Sequence, residues 1–240
     1  LTPEQSAALV DRFNAIIDAG LSHPSIAAPI AAGLERGAVY LAQEYAAGDS
    51  LDVVLRGRGP LPIRDAVALV DALAGAIDYA ASKGVHHGSL HLRDVMLSAD
   101  GVRVTGFGIA AALSQVSAKL PTRPEYAAPG GSSDVYSLGV IAFETVMGKR
   151  VSPHHLQELE AAHGVELRAA FDAALALNPE LRPRHASDFA GALRTVPALA
   201  PNEPIASDAL LTPDLDLQID RPVDFTAESD IATPRAFIEE

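Results

Sequence analysis

Residues 133–147 (S-D-V-Y-S-L-G-V-I-A-F-E-T-V-M) are apolar on nearly every side of a helix. A helix of that kind is stable only when other elements cover it all round, so it predicts the buried centre of a domain. A second strong pattern supplies cover. Over 63–83, Val67, Val70, Leu73, Ala74, Ile77 and Ala81 recur at helical spacing, and Lys83-Gly84 is a stop signal. Thr2-Pro3-Glu4-Gln5 opens a further helix over 2–19, with Leu9, Phe13, Ile16 and Ile17 on one face and Gly20 at its end. Two more helices fit 165–177 and 186–196.

Strand signals are few. Residues 38–45 read as a strand, and a strand hairpin explains Gly33 and Gly37 better than a phosphate loop does. Residues 50–55 fit a short helix. Val95-Met96-Leu97 and Val102-Arg103-Val104 flank Asp100-Gly101, a two-residue hairpin turn. Residues 108–131 show no clean period and read as an ordered loop. After Pro197 prolines and acids accumulate and no Lys occurs, which predicts an acidic, mostly disordered tail over 197–240 beside a domain over 1–196. Within that tail, Leu215-Asp216-Leu217-Gln218-Ile219 alternates as a single docked strand would.

Composition removes several function classes. The chain has no Cys, so disulfides, thiolate metal sites and Cys nucleophiles are absent. A net charge of −13 repels phosphate backbones and anionic lipid, which argues against nucleic-acid and membrane-surface partners. No apolar run approaches the roughly 20 residues of a spanning helix, and no signal peptide is visible, so a cytoplasmic location is expected.

The motifs point further. His87-Gly88-Ser89-Leu90-His91-Leu92-Arg93-Asp94 resembles the catalytic loop of protein kinases (H-R-D-L-x-x-x-N), and Gly106-Phe107-Gly108 resembles their D-F-G motif. Tyr126-Ala127-Ala128-Pro129-Gly130 is similar to the end of an activation segment. Residues 133–140 resemble the family helix that follows, and Asn178-Pro179-Glu180-Leu181-Arg182-Pro183 resembles the late Arg-Pro motif. Residues 21–26 look like the turn after helix αC, and 40–51 like the hinge. Seven such pieces in family order, over residues 13–196, identify a bacterial, eukaryotic-like Ser/Thr kinase fold. The class implied is α+β: a mainly helical kinase-like C-lobe with a short, incomplete N-lobe strand region, lacking the family's first three strands.

The resemblance also implies lost chemistry. Ser89 stands at the catalytic Asp position, and a hydroxyl cannot accept the substrate proton at neutral pH. Gly106 stands at the D-F-G Asp position, so the principal metal ligand is missing. Asp94 stands at the second metal position and is the one candidate metal ligand left. His91 replaces the catalytic-loop Lys. No lysine (Lys83, Lys119, Lys149) sits in a V-A-I-K setting, and the αC Glu position falls near Asn14. Gly88 replaces the Arg that would read a phosphate on the activation loop, in which Ser114, Ser117 and Thr122 lie. Gln43, Glu44, Tyr45 and Ala46 match the gatekeeper and hinge that would hold adenine.

Residues of the scaffold remain: His87, Phe107 and Gly108, Asp134 as the acceptor of catalytic-loop N–H groups, and Arg182. The Glu that Arg182 would pair with is Gly130, which leaves Glu125 and Glu144 as alternative acceptors. The expectation is a catalytically inactive, pseudokinase-type module that binds a protein partner in signalling, with no resident cofactor. The alternative is a residual Ser/Thr kinase that binds ATP and magnesium with the help of upstream elements.

Plainer readings compete at single residues. His86, His87, His91 and Asp94 read as packed and solvent-facing side chains before a metal cluster, and no strained elbow surrounds Ser89 to make a nucleophile triad with His91 and Asp94. His154 and His155 read as solvent-facing loop residues. The tail acids fit no EF-hand pattern, and Thr212-Pro213 and Thr233-Pro234 read as ordinary Pro-rich chain.

Overall fold

The computed structural model describes residues 1–118, 123–131 and 133–195. Helix α1 (Pro3–Asp18) starts from a capping box in which Thr2 and Gln5 satisfy each other's backbone N–H, and it buries Leu9, Phe13 and Ile16. Strands β1 (Pro29–Glu35) and β2 (Ala38–Gln43) pair antiparallel around Arg36-Gly37, both at positive φ, as a two-residue hairpin turn requires. Strand β3 (Asp49–Ser50) joins a second sheet of order β3-β4-β5 with β4 (Val95–Ser98) and β5 (Gly101–Val104). Gly48 leads into it at φ +90, and a Cβ there would sit 1.8 Å from the Leu97 carbonyl oxygen, so only glycine fits.

Helices α2 (Leu51–Arg58) and α3 (Ile63–Ser82) follow β3. Helix α3 buries Leu69, Val70, Leu73 and Ile77 and packs on the later helices. Helix α4 (Ile109–Gln115) comes after β5, and α5 (Asp134–Met147) is the buried centre, with Leu138, Ile141 and Phe143 fully enclosed. Helices α7 (Val165–Ala174) and α8 (Ala186–Arg194) pack on it, and α6 (Pro153–His163) packs on α7. Phe143, Phe171 and Phe189 stack edge to face, with centroids 5.7 and 5.6 Å apart, and so lock α5, α7 and α8 together. The architecture is α+β, mostly helical, with few short strands.

Four local expectations need correction. The stretch 108–131 is not all loop: Gly108, at φ +80, opens α4, and Pro124–Tyr126 forms a 3₁₀ turn. His154 and His155 are helical, because Ser152 caps α6 and Pro153 fills its first position. The β4–β5 turn is Ala99-Asp100, since Gly101 already pairs with Ser98. The strand expected over 38–45 ends at Gln43, and β3 begins at Asp49. The tail 197–240, with residues 215–219, Thr212 and Thr233, lies outside the described residues. Among the described residues no helix is long and apolar enough to cross a membrane.

Candidate functional site

The loop from Gly84 to Gly108 is held from below by α5. Asp134, at the first turn of α5, accepts the His87 N–H at 2.9 Å on Oδ2 and the Gly88 N–H at 2.8 Å on Oδ1. Two charge-assisted bonds of this kind, from one buried carboxylate, fix the backbone where the loop turns. His87 is buried. Its Nδ1 accepts from the Ser89 N–H at 3.4 Å, which leaves the ring proton on Nε2 to donate to the Thr105 carbonyl at 2.8 Å. The Phe107 ring stands edge-on to His87 at 5.3 Å, so the two enclosed rings tie the first loop to the Gly106-Phe107-Gly108 turn.

Asp94 closes the 3₁₀ turn Leu92–Asp94, and its Oδ2 is crowded. It accepts the His91 N–H at 3.1 Å and lies 3.2 Å from His91 Nδ1 and 3.5 Å from His87 Nε2. Burial pushes the Asp94 carboxyl above the usual carboxylate range, against the opposing pull of His87 and His91. Burial likewise pushes the His91 imidazole down, so each partner is driven toward its neutral form. Among the described residues no group of three His, Asp or Glu side chains is placed to hold a metal ion.

Gly106 takes φ +91, and its N–H donates to Gln43 Oε1 at 3.0 Å. The gatekeeper-matched side chain thus reaches the very residue that matches the metal-binding Asp. A Cβ on Gly106 would lie 3.4 Å from His87 Nε2, so the packed histidine borders this position. Gly108 is closer still to its neighbour: a Cβ there would come within 2.6 Å of Ile16 Cδ1, and α1 therefore rests on this turn. Asn14, two residues before Ile16 on α1, is exposed.

The hinge-matched residues are tied locally. Glu44 Oε2 pairs with Arg103 Nη1 at 3.1 Å and accepts the Ala28 N–H at 3.2 Å, while the Glu44 N–H donates to the Ala28 carbonyl at 2.8 Å. Tyr45 is 86% exposed, and Ala46 is half-buried.

Arg182 uses neither of the two acids expected for it. It is buried and donates to three carbonyls: Ala176 at 2.8 Å, Pro129 at 2.6 Å and Leu177 at 3.2 Å, with its guanidinium 5.2 Å from the Tyr136 ring centre. Gly130 has no carboxylate to offer, and the backbone beside it substitutes. Glu125 and Glu144 serve Arg150 instead, at 3.0 and 3.4 Å. Glu144 is buried and accepts the Tyr126 O–H at 2.7 Å, and burial pushes its carboxyl up. Of this Tyr126–Glu144–Arg150 cluster no sequence motif includes Arg150, and none includes Thr105. An acid inside the otherwise apolar 133–147 helix was the available signal.

The protein kinase domain family matches residues 15–190. The Ser/Thr-protein kinase PknA of Mycobacterium tuberculosis is 30% identical over 79% of this chain and 52% of its own length. PknB of Mycobacterium leprae is 30% identical over 77% of this chain and 35% of its own length, so the chain spans about half or less of these curated relatives. A crystal structure of a point mutant of the M. tuberculosis PknI kinase domain superposes with a TM-score of 0.64 at 25% identity, covering 81% of this chain and 82% of that one.

Proposed function

The chain belongs to the protein kinase domain family, and from that premise we propose that it is a catalytically inactive member that acts as a cytoplasmic, protein-binding signalling module. Phosphoryl transfer is positioning plus charge neutralisation, so each missing charge matters. At Gly106 there is no carboxylate, and the backbone N–H there is already bonded to Gln43. The observation that carries the reading is the glycine itself: the position that matches the family's metal-binding Asp has no side chain to hold a metal. Ser89 offers no base. Asp94 is the one carboxylate in place, and its Oδ2 is committed to His91. Magnesium sites of this type use one or two carboxylates together with substrate phosphates. The residues present do not fit that group.

What remains is a scaffold. Asp134, His87, Phe107 and Arg182 keep the loops in a fixed arrangement without using them for chemistry. A rigid surface of that kind suits recognition of a protein partner.

The named relatives favour one second reading, a residual Ser/Thr protein kinase in which Asp94 holds a single metal ion. A thermal-shift titration with ATP, with and without Mg²⁺, separates the two. No rise in Tm at millimolar ATP supports the inactive module. A rise of several degrees that requires Mg²⁺ and disappears in Asp94→Ala overturns it.

A further inference from the structure

Two cavities meet at His86 and Ala111, which line both. The smaller, of about 280 Å³, lies between α1, α4 and the turn at 83–86. The larger, of about 790 Å³, continues between α3, α4, the start of α5 and the segment before α8. Together they make one groove. Small side chains line it along its length: Ala15 and Ala19 of α1, Ala81 of α3, and Ala110 and Ala111 of α4.

The groove is rich in unpaired positive charge. Arg12, Lys83 and His86 line the smaller cavity, and no carboxylate does. Arg184 lines the larger, where the carboxylates are Asp78 and Asp134. Both are held by backbone. Asp78 accepts the N–H groups of Ala186 and Ser187 at 2.8 and 2.9 Å, as Asp134 accepts those of His87 and Gly88. Elsewhere cations find acids, as Arg93, Arg103, Lys149 and Arg194 do. Among the described residues Arg12, Lys83 and Arg184 have no carboxylate partner, although Asp and Glu outnumber Lys and Arg by 31 to 18. Lys83 Nζ has only the Tyr79 ring, 5.8 Å away. Unpaired cations along a concave surface focus a local positive potential even on a chain of net charge −13.

We propose that this groove docks an extended, acidic segment of a partner protein. Its carboxylates meet Arg12, Lys83 and Arg184, and its small apolar side chains lie on the alanines. Arg12 and Arg184 line different cavities, so a single anion serves one of them and a chain of acids serves both. The apolar lining adds burial, and the cations set selectivity and register. This names the surface and the partner chemistry of the protein-binding module proposed above, and it rests on that reading.

The test is fluorescence anisotropy of the full 240-residue chain with a short labelled peptide of alternating Glu and Ala, beside a control peptide of alternating Gln and Ala. The Glu peptide should bind and the Gln peptide should not. Arg12→Glu combined with Arg184→Glu changes two exposed side chains and should weaken binding at least ~10-fold. Arg58→Glu combined with Arg64→Glu, an equal change of charge at exposed residues that line neither cavity, should leave it unchanged. Absence of binding, equal binding of the two peptides, or equal weakening by the two double variants overturns the proposal. So does full displacement by inorganic phosphate at constant ionic strength, which would make the groove a single-anion site. A dimer by light scattering that Arg12→Glu with Arg184→Glu dissolves would place a second copy there and overturn it too. The ATP titration decides catalysis separately: phosphate transfer with peptide binding intact removes the inactive reading and leaves the groove.

Discussion

Gln43 Oε1 accepts the Gly106 N–H at 3.0 Å, joining the last residue of β2 to the turn at which the family places a metal-binding carboxylate. The bond couples the strand region to the helical body at the centre of the candidate site. Gln43→Leu keeps the volume but leaves Gly106 without this acceptor. A part-buried bond of this type contributes about 1 kcal/mol, which for a domain of this length lowers Tm by about 2–4 °C. Differential scanning calorimetry of the variant checks it.

Placing a carboxylate at position 106 is expected to cost stability without producing phosphate transfer. Gly106 sits at φ +91 with His87 Nε2 bordering its missing Cβ. Gly106→Asp forces a side chain into a left-handed conformation at a cost of about 1–3 kcal/mol. The expected outcome is a lower denaturant midpoint and still no phosphate transfer, because Ser89 is unchanged.

Asp134 is the anchor of the loop. Asp134→Ala removes the acceptor of both the His87 and Gly88 N–H groups. With each charged bond contributing about 1.5–3 kcal/mol, a loss of at least ~3 kcal/mol is expected. Urea unfolding monitored by circular dichroism measures it, and a loss under ~1 kcal/mol would show that water replaces the carboxylate.

Arg182 needs its fork, not only its charge. Arg182→Lys cannot reach the carbonyls of Pro129, Ala176 and Leu177 together, and it gives up the stacked contact with Tyr136. It should lower Tm nearly as much as Arg182→Ala. Glu125→Gln, which touches only Arg150 in this cluster, should leave Tm almost unchanged.

Glu144 gives a pH signature. Burial raises its pKa above the unfolded value, so the native state holds the proton more tightly than the unfolded chain. The penalty for its charge is absent below the unfolded pKa near 4.5 and grows as pH rises through the folded pKa. Glu144→Gln keeps an acceptor for the Tyr126 O–H and removes that penalty. The Tm of the variant relative to the parent should therefore climb with pH across this window and level off above it. A difference independent of pH would contradict the assignment.

The helical body was legible because its signals are local. The all-round apolar pattern of 133–147 and the face of Val70, Leu73 and Ile77 dictate burial by themselves. The kinase resemblance carried the loops, through residues such as His87 and Asp134 whose types are fixed by packing and hydrogen bonding. Illegible features were those decided across the chain. Arg182 found backbone carbonyls, which no residue pattern advertises, and Gln43 found a backbone N–H 63 positions away. α4 gives little signal because Ala110, Ala111 and Ala112 carry little periodicity, and the loop reading of His154 and His155 fails because Ser152 caps α6 and Pro153 opens it.

A kinase-fold domain that does not transfer phosphate leaves the γ-phosphate of ATP in place. The direct test is to incubate the full chain with γ-labelled ATP and Mg²⁺, beside its Asp94→Ala variant and with a general Ser/Thr substrate protein. The expected label incorporation equals background in both. Incorporation above background that is abolished by Asp94→Ala would contradict it and make Asp94 a working metal ligand.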